Sequence, residues 1–407
     1  MKNTPSKKPC VLMLLTNCFD PDPRVLAEAK ALVRNGYAVH LLAWDRDRKC
    51  AEHENVEGIE VHRIYVSSTH GRGSTQAVVM IRVLWALIRR GLSFQFDAVH
   101  AHDFDTLPAG VVLAKIRKKP LIYDSHENYT AMLHGSIPAV MEKAIFATET
   151  RLLRSVDMLI TVGEILKDEF VERGARNCVV VGNWKNLSEY RLDDACRREM
   201  RGQLQIPTDA LVIAFIANLG RERKVEQLIE AARSRPDIHF LFGGKGTAAK
   251  AVEEAATALP NVHYAGFVHP SQLGRYTWAS DVVFYGFDTD NPNSKYSAPN
   301  KLFEALAGGK ALLTGDFGEI GRIVKQYGCG ILVNDFSAKG ILKALEKFSR
   351  RNELLEMQSR ASEIGERTYN WESAEATLVA GYRGLTPSLD APSDASNDSM
   401  VKQVAAL

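Results

Sequence analysis

Short apolar runs alternate with amphipathic segments along the first half of the chain. Residues 11–15 and 38–43 are apolar runs of strand length, and between them the segment 24–35 repeats apolar residues at helical spacing. The pattern continues with predicted strands at 61–65, 98–100, 121–123, 158–162 and 178–181 and predicted helices at 76–90, 106–116, 138–153 and 164–173. Strands separated by helices of this length are typical of a parallel sheet with helices on both faces.

The same alternation restarts at residue 211. The predicted strands are 211–216, 239–242, 262–264, 281–285 and 311–314, and the predicted helices are 225–233, 247–258, 271–279, 299–307 and 319–327. We therefore expect an α/β protein with two doubly wound, Rossmann-like domains facing each other across a cleft. Ligands of such sheets bind beyond the carboxyl ends of the strands, so functional residues should lie on the loops that follow them.

Composition suggests where the domains end. We expect a first domain at 1–182, a second at 183–368 with a polar hinge over 182–211, and a closing helical segment at 369–385. Residues 386–407 are rich in Ser, Asp and Pro and cannot bury enough apolar surface to fold, which predicts a disordered tail.

Composition and charge exclude several classes of protein. The 407 residues are 45% hydrophobic and 25% charged, as in globular proteins, and 51 basic against 49 acidic residues give no basic excess for binding nucleic acid. The six cysteines have no paired spacing, which disfavours a zinc site or a disulfide framework and favours the cytoplasm. The apolar runs 10–15 and 77–88 are too short for a secretory signal or a bilayer span, so we expect a soluble protein.

Polar residues follow two neighbouring strands of the first half. His102 comes at the end of one predicted strand, and His126 and Glu127 follow the next. These three residues are the catalytic candidates of the predicted cleft. A metal ion held by the two histidines is disfavoured, because the spacing sets no third ligand.

The loop after the first strand, residues 17–25, lacks the G-x-G-x-x-G pattern of dinucleotide-binding proteins. Asp22 and Pro23 suit instead the N-cap and the first turn of the following helix. Arg24, the next residue, could face the cleft.

The most informative segment is 294–309. Pro299 suits the first turn of a helix whose N-terminal amides and positive dipole end fit a phosphate, next to Asn300 and the positive charge of Lys301. Glu304, one turn further, could accept both hydroxyls of a ribose. The other interpretation of Glu304 is a solvated glutamate on a surface helix.

Two further loops are candidates for donor binding. Arg221, Arg223 and Lys224 follow the strand 211–216 and could clamp a diphosphate, although some of them could be solvated charges. The glycine turn 243–246 includes Gly244 and would let a ligand approach the backbone closely.

These motifs resemble those of GT-B glycosyltransferases of the large retaining group known as group 1 or family 4, over about residues 9–385. The most specific match is P-N-K-L-F-E-A-L-A-G-G-K at 299–310, and further matches are D-A-V-H-A-H at 97–102, D-S-H-E at 124–127, V-G-N at 181–183 and Trp371. The resemblance implies that the second domain holds a nucleotide sugar, that the first domain holds the acceptor, and that the last helix crosses back to the first domain.

The resemblance also implies roles for single residues. Glu304 matches the glutamate that binds the nucleotide ribose, and Arg223, or Lys224 if the loop is one residue longer, matches the basic residue at the diphosphate. His126 matches the histidine near the transferred sugar, where a neutral imidazole could orient the sugar or accept a hydrogen bond from it.

Three positions depart from the family pattern. Tyr296 stands where many relatives have a second, sugar-contacting glutamate, and Asn218 stands where many have arginine. The loop 20–24 replaces the usual glycine pair after the first strand and resembles a recognised subset of the family. Tyr296 remains a donor-binding candidate by its position.

The implied reaction moves a sugar from a nucleoside-diphosphate sugar to a saccharide or lipid-linked acceptor with retention, in cell-surface polysaccharide or glycolipid synthesis. We expect no cofactor, no metal site and no requirement for a divalent metal, because a cationic loop and a helix N-terminus can stabilise the leaving diphosphate. One alternative is a GT-B-fold sugar-nucleotide epimerase that uses the histidines and acids of the first domain. The other is a catalytically inactive GT-B-like binding subunit.

Two stretches that combine basic and apolar residues bear on where in the cell the protein is located. Arg82, Arg89 and Arg90 lie around the predicted apolar helix 78–92, and further basic residues occupy 115–119. Such surfaces can contact anionic lipid, so a peripheral position at the inner face of the membrane is one interpretation. A packed helix with a solvated rim is the other.

Overall fold

The computed structural model describes residues 8–20, 22–68, 74–288 and 292–385 and contains two sheets, one in each half of the chain. The strand order is β3-β4-β2-β1-β5-β6-β7-β8 in the first sheet and β11-β10-β9-β12-β13-β14 in the second. The first sheet consists of β1 (Cys10–Leu15), β2 (Ala38–Trp44), β3 (His53–Val56), β4 (Ile59–Ile64), β5 (Ala98–His102), β6 (Leu121–Ser125), β7 (Met158–Thr161) and β8 (Cys178–Val180). The second consists of β9 (Leu211–Ile216), β10 (Ile238–Gly243), β11 (Val262–Tyr264), β12 (Val282–Tyr285), β13 (Ala311–Thr314) and β14 (Gly330–Leu332).

Helices connect most of these strands. Those of the first half are α1 (Pro23–Arg34), α2 (Ser74–Gly91), α3 (Asp103–Arg117), α4 (Tyr129–Leu133), α5 (Ala139–Leu152) and α6 (Glu164–Glu172). The later ones are α7 (Leu187–Tyr190), α8 (Asp194–Gln203), α9 (Val225–Ser234), α10 (Ala249–Ala258), α11 (Leu273–Ala279), α12 (Asn300–Ala307), α13 (Gly318–Tyr327), α14 (Ala338–Phe348), α15 (Arg351–Arg367) and α16 (Trp371–Leu385). The two doubly wound α/β domains confirm the predicted fold class.

The first sheet is parallel except at one edge. All six residues of β1 are buried, because this strand lies inside the sheet and pairs in parallel with β2 and β5. The edge strand β3 pairs antiparallel with β4. No strand was predicted at β3. The predicted start of α1 is confirmed, since the Asp22 carboxylate caps the helix by accepting from the amides of Arg24 and Val25.

The segment 182–211, which the sequence predicts to be a polar hinge, contains two helices that the apolar pattern did not indicate, α7 and α8. An apolar stripe does not mark α8. Of its ten residues only Met200 and Arg201 are buried, and the Arg201 guanidinium bonds to Asp281 and to four backbone carbonyl groups. Arg201 is therefore buried at a helix position where the helical repeat predicts an apolar residue, and its N–H groups are satisfied by these acceptors.

The last helix returns to the first domain. Ala374, Leu378 and Tyr382 of α16 are buried in the same core as Val11 and Ile122 of the first sheet. The expected tail at 386–407 lies outside the described residues. Within the described ranges, no helix combines the length and the apolar character that crossing a membrane requires.

Candidate functional site

A cavity of about 360 Å³ lies between the carboxyl ends of the two sheets. Six of the ten predicted site residues line it, namely His126, Glu127, Arg223, Tyr296, Asn300 and Lys301. The other four, His102, Lys224, Gly244 and Glu304, are not among the lining residues. Both domains therefore contribute polar side chains to one space.

His126 lies directly after β6, with its ring between two carboxylates. Its Nε2 is 2.7 Å from Asp124 Oδ2, and its Nδ1 is 3.2 Å from Asp103 Oδ2. The backbone amide of His126 also donates to Asp103 Oδ1 at 3.1 Å. Asp103 has a left-handed φ of 59°, which brings its carboxylate back towards the β6 loop.

The two carboxylates determine the protonation of His126. Burial alone would lower the pKa of its imidazole, but Asp124 and Asp103 outweigh burial and raise that pKa well above its usual value. The two flanking carboxylates thus favour the cationic imidazole, in which both ring nitrogens donate. This geometry disfavours the expected neutral imidazole that accepts a hydrogen bond from the sugar, because both ring nitrogens already face carboxylate oxygens.

Arg24 supports this group from behind. Its Nε and Nη2 bind the two oxygens of Asp124 at 3.0 and 2.7 Å, and its Nη1 donates to the Val181 carbonyl at 2.8 Å. Arg24 is not among the residues that line the cavity, so the expectation that it could face the cleft is not met, and its guanidinium binds Asp124 instead. Arg24 and His126 together outweigh the effect of burial and hold the pKa of Asp124 well below its usual range.

The other two catalytic candidates lie at different depths. Glu127 reaches the cavity and accepts from Asn293 Nδ2 of the second domain at 2.9 Å, and burial raises the pKa of its carboxyl. His102 is fully buried behind His126, with ring centroids 5.6 Å apart, and its Nδ1 is 3.2 Å from Asp124 Oδ2. Burial lowers the pKa of His102, which is therefore neutral.

The N-terminus of α12 faces the cavity. Pro299 is the N-cap and has no side chain that could accept from the first amides of the helix. Asn300 and Lys301, the first two helical residues, line the cavity, and Asn300 Oδ1 accepts from Lys185 Nζ at 2.7 Å. Helix N-termini of this kind attract anions.

Glu304 lies one turn further along α12. Its side chain is only 3% exposed and forms an ion pair with the ammonium group of Lys301. The interpretation of Glu304 as a solvated surface glutamate is therefore wrong. This ion pair occupies Oε2 of the carboxylate.

Arg223 is the basic residue of its loop that lines the cavity. It lies in a 3-10 turn over residues 221–223, stacks at 4.4 Å on the ring of Phe287 and donates to the Tyr285 hydroxyl. Its neighbour Lys224 has a left-handed φ of 59°, and its Nζ is 3.5 Å from Asp288 Oδ2. Of the two matches that the loop length left open, the structure favours Arg223.

The remaining donor candidates have structural partners. Tyr296 lines the cavity, but its hydroxyl donates to Glu169 of the first domain at 2.9 Å. Gly244 has a φ of 127°, and a Cβ there would lie 1.8 Å from the Ala217 carbonyl oxygen. Only glycine fits this position, which brings the 243–246 turn against Ala217 at the cavity wall.

Sequence reasoning missed the cavity residues Asn183, Asn293, Tyr285 and Phe287. Asn183 ends the V-G-N match at 181–183 but was given no role, and no motif included Asn293, Tyr285 or Phe287. The supporting role of Asp124 had a signal, since Asp124 begins the D-S-H-E segment.

Two family models match the chain. Residues 21–184 match the glycosyl transferase 4-like domain, and residues 196–368 match the glycosyl transferases group 1. The two matches cover every strand of the two sheets except β1, and they include the lining residues of the cavity from both domains.

Individual proteins are similar over different lengths. An uncharacterised glycosyltransferase of Methanocaldococcus jannaschii is 24% identical over 87% of this chain and 92% of its own length. A Bacillus subtilis glycosyltransferase assigned to teichuronic acid biosynthesis is 24% identical over 51% of this chain and 53% of its own length. Among solved structures, Anabaena HepE in complex with UDP-glucose has a TM-score of 0.67 and 15% identity over 92% of this chain and 100% of that chain. That identity shows the fold alone.

Proposed function

Since the chain belongs to the group 1 glycosyltransferases of GT-B fold, we propose that it transfers a sugar, with retention, from a nucleoside-diphosphate sugar to a saccharide or lipid-linked acceptor. The observation that carries this proposal is the cavity between the domains. There the cations Arg223 and Lys301 and the N-terminus of α12 face His126 and Glu127. Cations and helix amides fit a diphosphate, and the opposite wall is left for the sugar and the acceptor.

The leaving group accounts for the positive wall. When the bond from sugar to diphosphate breaks, negative charge develops on the diphosphate, and fixed donors aimed at that charge lower the barrier. Arg223, Lys301 and the amides of α12 supply such donors without a general acid. On this account a divalent metal is not required at the diphosphate.

His126 and Glu127 face the other end of the donor. The imidazolium of His126 is held by Asp103 and Asp124, so it contributes a fixed positive charge near the sugar and does not act as a base. Glu127 is the carboxylate at the cavity, and it is the residue we propose to bind a hydroxyl of the sugar or of the acceptor.

Glu304 is the proposed ribose acceptor. Its ion pair with Lys301 gives this role a structural condition, because the ammonium must turn towards the phosphates as the ribose hydroxyls approach the carboxylate. The ion pair between Lys301 and Glu304 would then be replaced by one contact of Lys301 with the phosphates and one contact of Glu304 with the ribose.

The acceptor class follows from the relatives only in outline. The name of the Bacillus subtilis relative refers to teichuronic acid biosynthesis. We propose polysaccharide or glycolipid synthesis, with a cytoplasmic donor site.

An acceptor-dependent assay tests the proposal. The purified protein is incubated with UDP-, GDP-, ADP- and dTDP-sugars with and without saccharide and glycolipid acceptors, and both the released nucleotide and the anomeric proton of the product are followed. We expect acceptor-dependent release and a product with the anomeric configuration of the donor. Conversion of a nucleotide sugar without acceptor would indicate an epimerase, and nucleotide binding without turnover on any acceptor would indicate a binding subunit.

A further inference from the structure

A second polar cluster lies inside the first domain, behind His126 and outside the cavity. It consists of Glu28 from α1, His100 and His102 from β5, and Asp124 from β6, and all four residues are fully buried. One candidate ligand atom from each of the four residues lies within 4.8 Å of the other three. The glycosyl transfer proposed above makes no use of Glu28 or His100.

The two histidines share an orientation. Their rings stack with centroids 4.2 Å apart and an interplanar angle of 23°. His100 Nδ1 is 2.8 Å from the Tyr382 hydroxyl, and His102 Nδ1 is 3.2 Å from Asp124 Oδ2. Each Nδ1 thus has a partner outside the pair, which is how histidine ligands of metal ions are usually held.

The atoms on the opposite side of the rings have no such partners. Among the described residues, Nε2 of His100 and of His102 and both oxygens of Glu28 are buried without a hydrogen bond. Arg24 Nη2 lies 3.0 Å from Glu28 Oε1 as an ion pair, which leaves Oε2 directed at His100 Nε2, 3.9 Å away. Buried polar atoms without partners are rare in native proteins.

We propose that Glu28 Oε2, His100 Nε2 and His102 Nε2 bind a divalent first-row transition-metal ion, with Zn²⁺ as the expected occupant. Two imidazoles and one carboxylate are a ligand set that suits Zn²⁺. Asp124 stays in the outer shell, because Arg24, His102 and His126 already engage its oxygens. A bound ion would give a partner to each unsatisfied ligand atom.

The competing occupant is a proton on Glu28. Burial and the neighbouring Asp124 raise the pKa of the Glu28 carboxyl to about 8, and a protonated Glu28 could donate to Asp124. That proton would leave His100 Nε2 unsatisfied, because Glu28 Oε2 is 3.9 Å away from it. It would also leave His102 Nε2 unsatisfied. The metal accounts for all three groups at once.

The proposed ion would link separate elements of the first domain. It would join α1 to β5 and, through Tyr382 and Asp124, connect the last helix to the residue that holds His126. Sequence spacing did not indicate it, because the third ligand comes from a helix far from the histidines in sequence.

The test must exclude surface histidines. His40, His53 and His62 form a chain of contacts of 3.2 Å at the edge of the first sheet and can bind Zn²⁺ themselves. All measurements therefore use a His53→Gln/His62→Gln background. The protein is refolded with and without Zn²⁺, because the proposed site is buried, and the bound metal is counted after gel filtration. Replacement by Co²⁺ adds a visible spectrum that reports imidazole and carboxylate ligands without a further mutation.

We expect one Zn²⁺ per chain in this background, a higher Tm after refolding with Zn²⁺, and a tetrahedral or five-coordinate Co²⁺ spectrum. Glu28→Gln and His102→Gln should each lose the ion, whereas the control His239→Gln, which changes a half-buried histidine of the second domain, should retain it. A background protein that refolds with no bound metal, no Co²⁺ spectrum and no change in Tm overturns the proposal. This result would leave the transferase assay unaffected, so the two proposals fail separately.

Discussion

His126 shows how far neighbouring charges decide the chemistry of a single residue. Its position after a strand end was predictable from the sequence, because the alternation of apolar runs located β6. Its protonation was not predictable, because the two carboxylates that bind its ring come from separate strand ends, and the left-handed backbone of Asp103 turns one of them inwards.

Removing one of these carboxylates should lower the pKa of His126. Asp103→Asn keeps the shape of the side chain, and asparagine tolerates the left-handed backbone of this position. We expect the His126 ring proton to titrate by NMR at a lower pH than in the unmodified protein. The control Asp105→Asn changes the neighbouring carboxylate, which bonds to Tyr129 and Thr16 and not to His126. If the His126 ring proton titrated at the same pH in the unmodified protein and in Asp103→Asn, Asp103 would not be a group that raises the pKa of His126.

Lys310 gives a prediction about stability. This lysine is 5% exposed, its Nζ donates to the Trp278 carbonyl at 3.1 Å, and burial followed by the nearby Arg197 lowers its pKa to about 7. The unfolded chain then binds one more proton than the folded chain between about pH 7 and pH 10. The free energy of unfolding should therefore rise across this window by about 1.4 kcal/mol per pH unit from this group.

Lys310→Met removes the titrating group and keeps the length of the side chain. The variant should be more stable than the unmodified protein at pH 7, and the difference should shrink as the pH approaches 10. Denaturant unfolding at several pH values measures this, with the exposed Lys343→Met as control. A difference that stays constant with pH would show that Lys310 is charged when folded.

At the scale of helices and strands, apolar periodicity located the elements that bury an apolar stripe. The bounds of β1, β9 and α12 differ from the predicted ones by one residue at most. Apolar periodicity did not locate the elements that other interactions stabilise. The helix α8 is held by a buried arginine, and the edge strand β3 pairs through an exposed, polar sequence. The helices α14 and α15 were not predicted either, although α14 buries Ile341, Leu345 and Phe348.

The packing of α15 against α12 depends on a glycine. A Cβ at Gly365 would lie 2.5 Å from the backbone carbonyl oxygen of Leu306, whereas a Cβ at Gly202 of α8 would meet nothing within 4 Å. Gly365→Ala should destabilise the protein by about 1–3 kcal/mol through overpacking and weaken nucleotide binding by displacing α12. Gly202→Ala should be neutral or stabilising by up to about 1 kcal/mol. Thermal unfolding compares the two, and equal stabilities would contradict this packing.

One face of α2 remains exposed. Val78, Ile81 and Trp85 are 58%, 66% and 62% exposed, and the Arg89 guanidinium lies over the Trp85 ring. If this face contacts anionic lipid, the protein should float with anionic vesicles at low salt and less at high salt, since each basic residue near the surface contributes about 1 kcal/mol. Ile81→Ser/Trp85→Ser should reduce flotation, and Phe267→Ser, an exposed apolar residue of the second domain, should not. No flotation at low salt would leave the interpretation of a packed helix with a solvated rim.

At the scale of the whole molecule, the site exists only where the two domains meet. Glu127 bonds to Asn293, Tyr296 bonds to Glu169, and the Glu319 carboxylate accepts from the Ile165 amide at the start of α6. None of these pairs follows from local sequence patterns, because each joins loops from different domains. The repeated alternation of strands and helices predicted two domains that face each other across a cleft, whereas the particular contacts required the structure.

The central claim is that the cavity binds a nucleoside diphosphate through Arg223 and Glu304. Calorimetric titration with UDP, GDP, ADP and dTDP, and with the nucleoside of whichever binds, tests this claim in the unmodified protein and in Glu304→Gln and Arg223→Gln. A hydrogen bond to a charged group contributes about 1.5–3 kcal/mol, so Glu304→Gln should weaken the diphosphate and the nucleoside alike by about ten- to a hundredfold. Arg223→Gln should weaken mainly the diphosphate.

Glu363→Gln, which changes an exposed glutamate of α15, is the matched control and should bind like the unmodified protein. The predicted result is loss of affinity in the two site variants. Arg223→Gln should keep the Tm of the unmodified protein, whereas Glu304→Gln should lower it, because the buried Lys301 ammonium loses its partner. Affinity for the diphosphate in Glu304→Gln and Arg223→Gln equal to that of the unmodified protein would contradict the placement of the donor site.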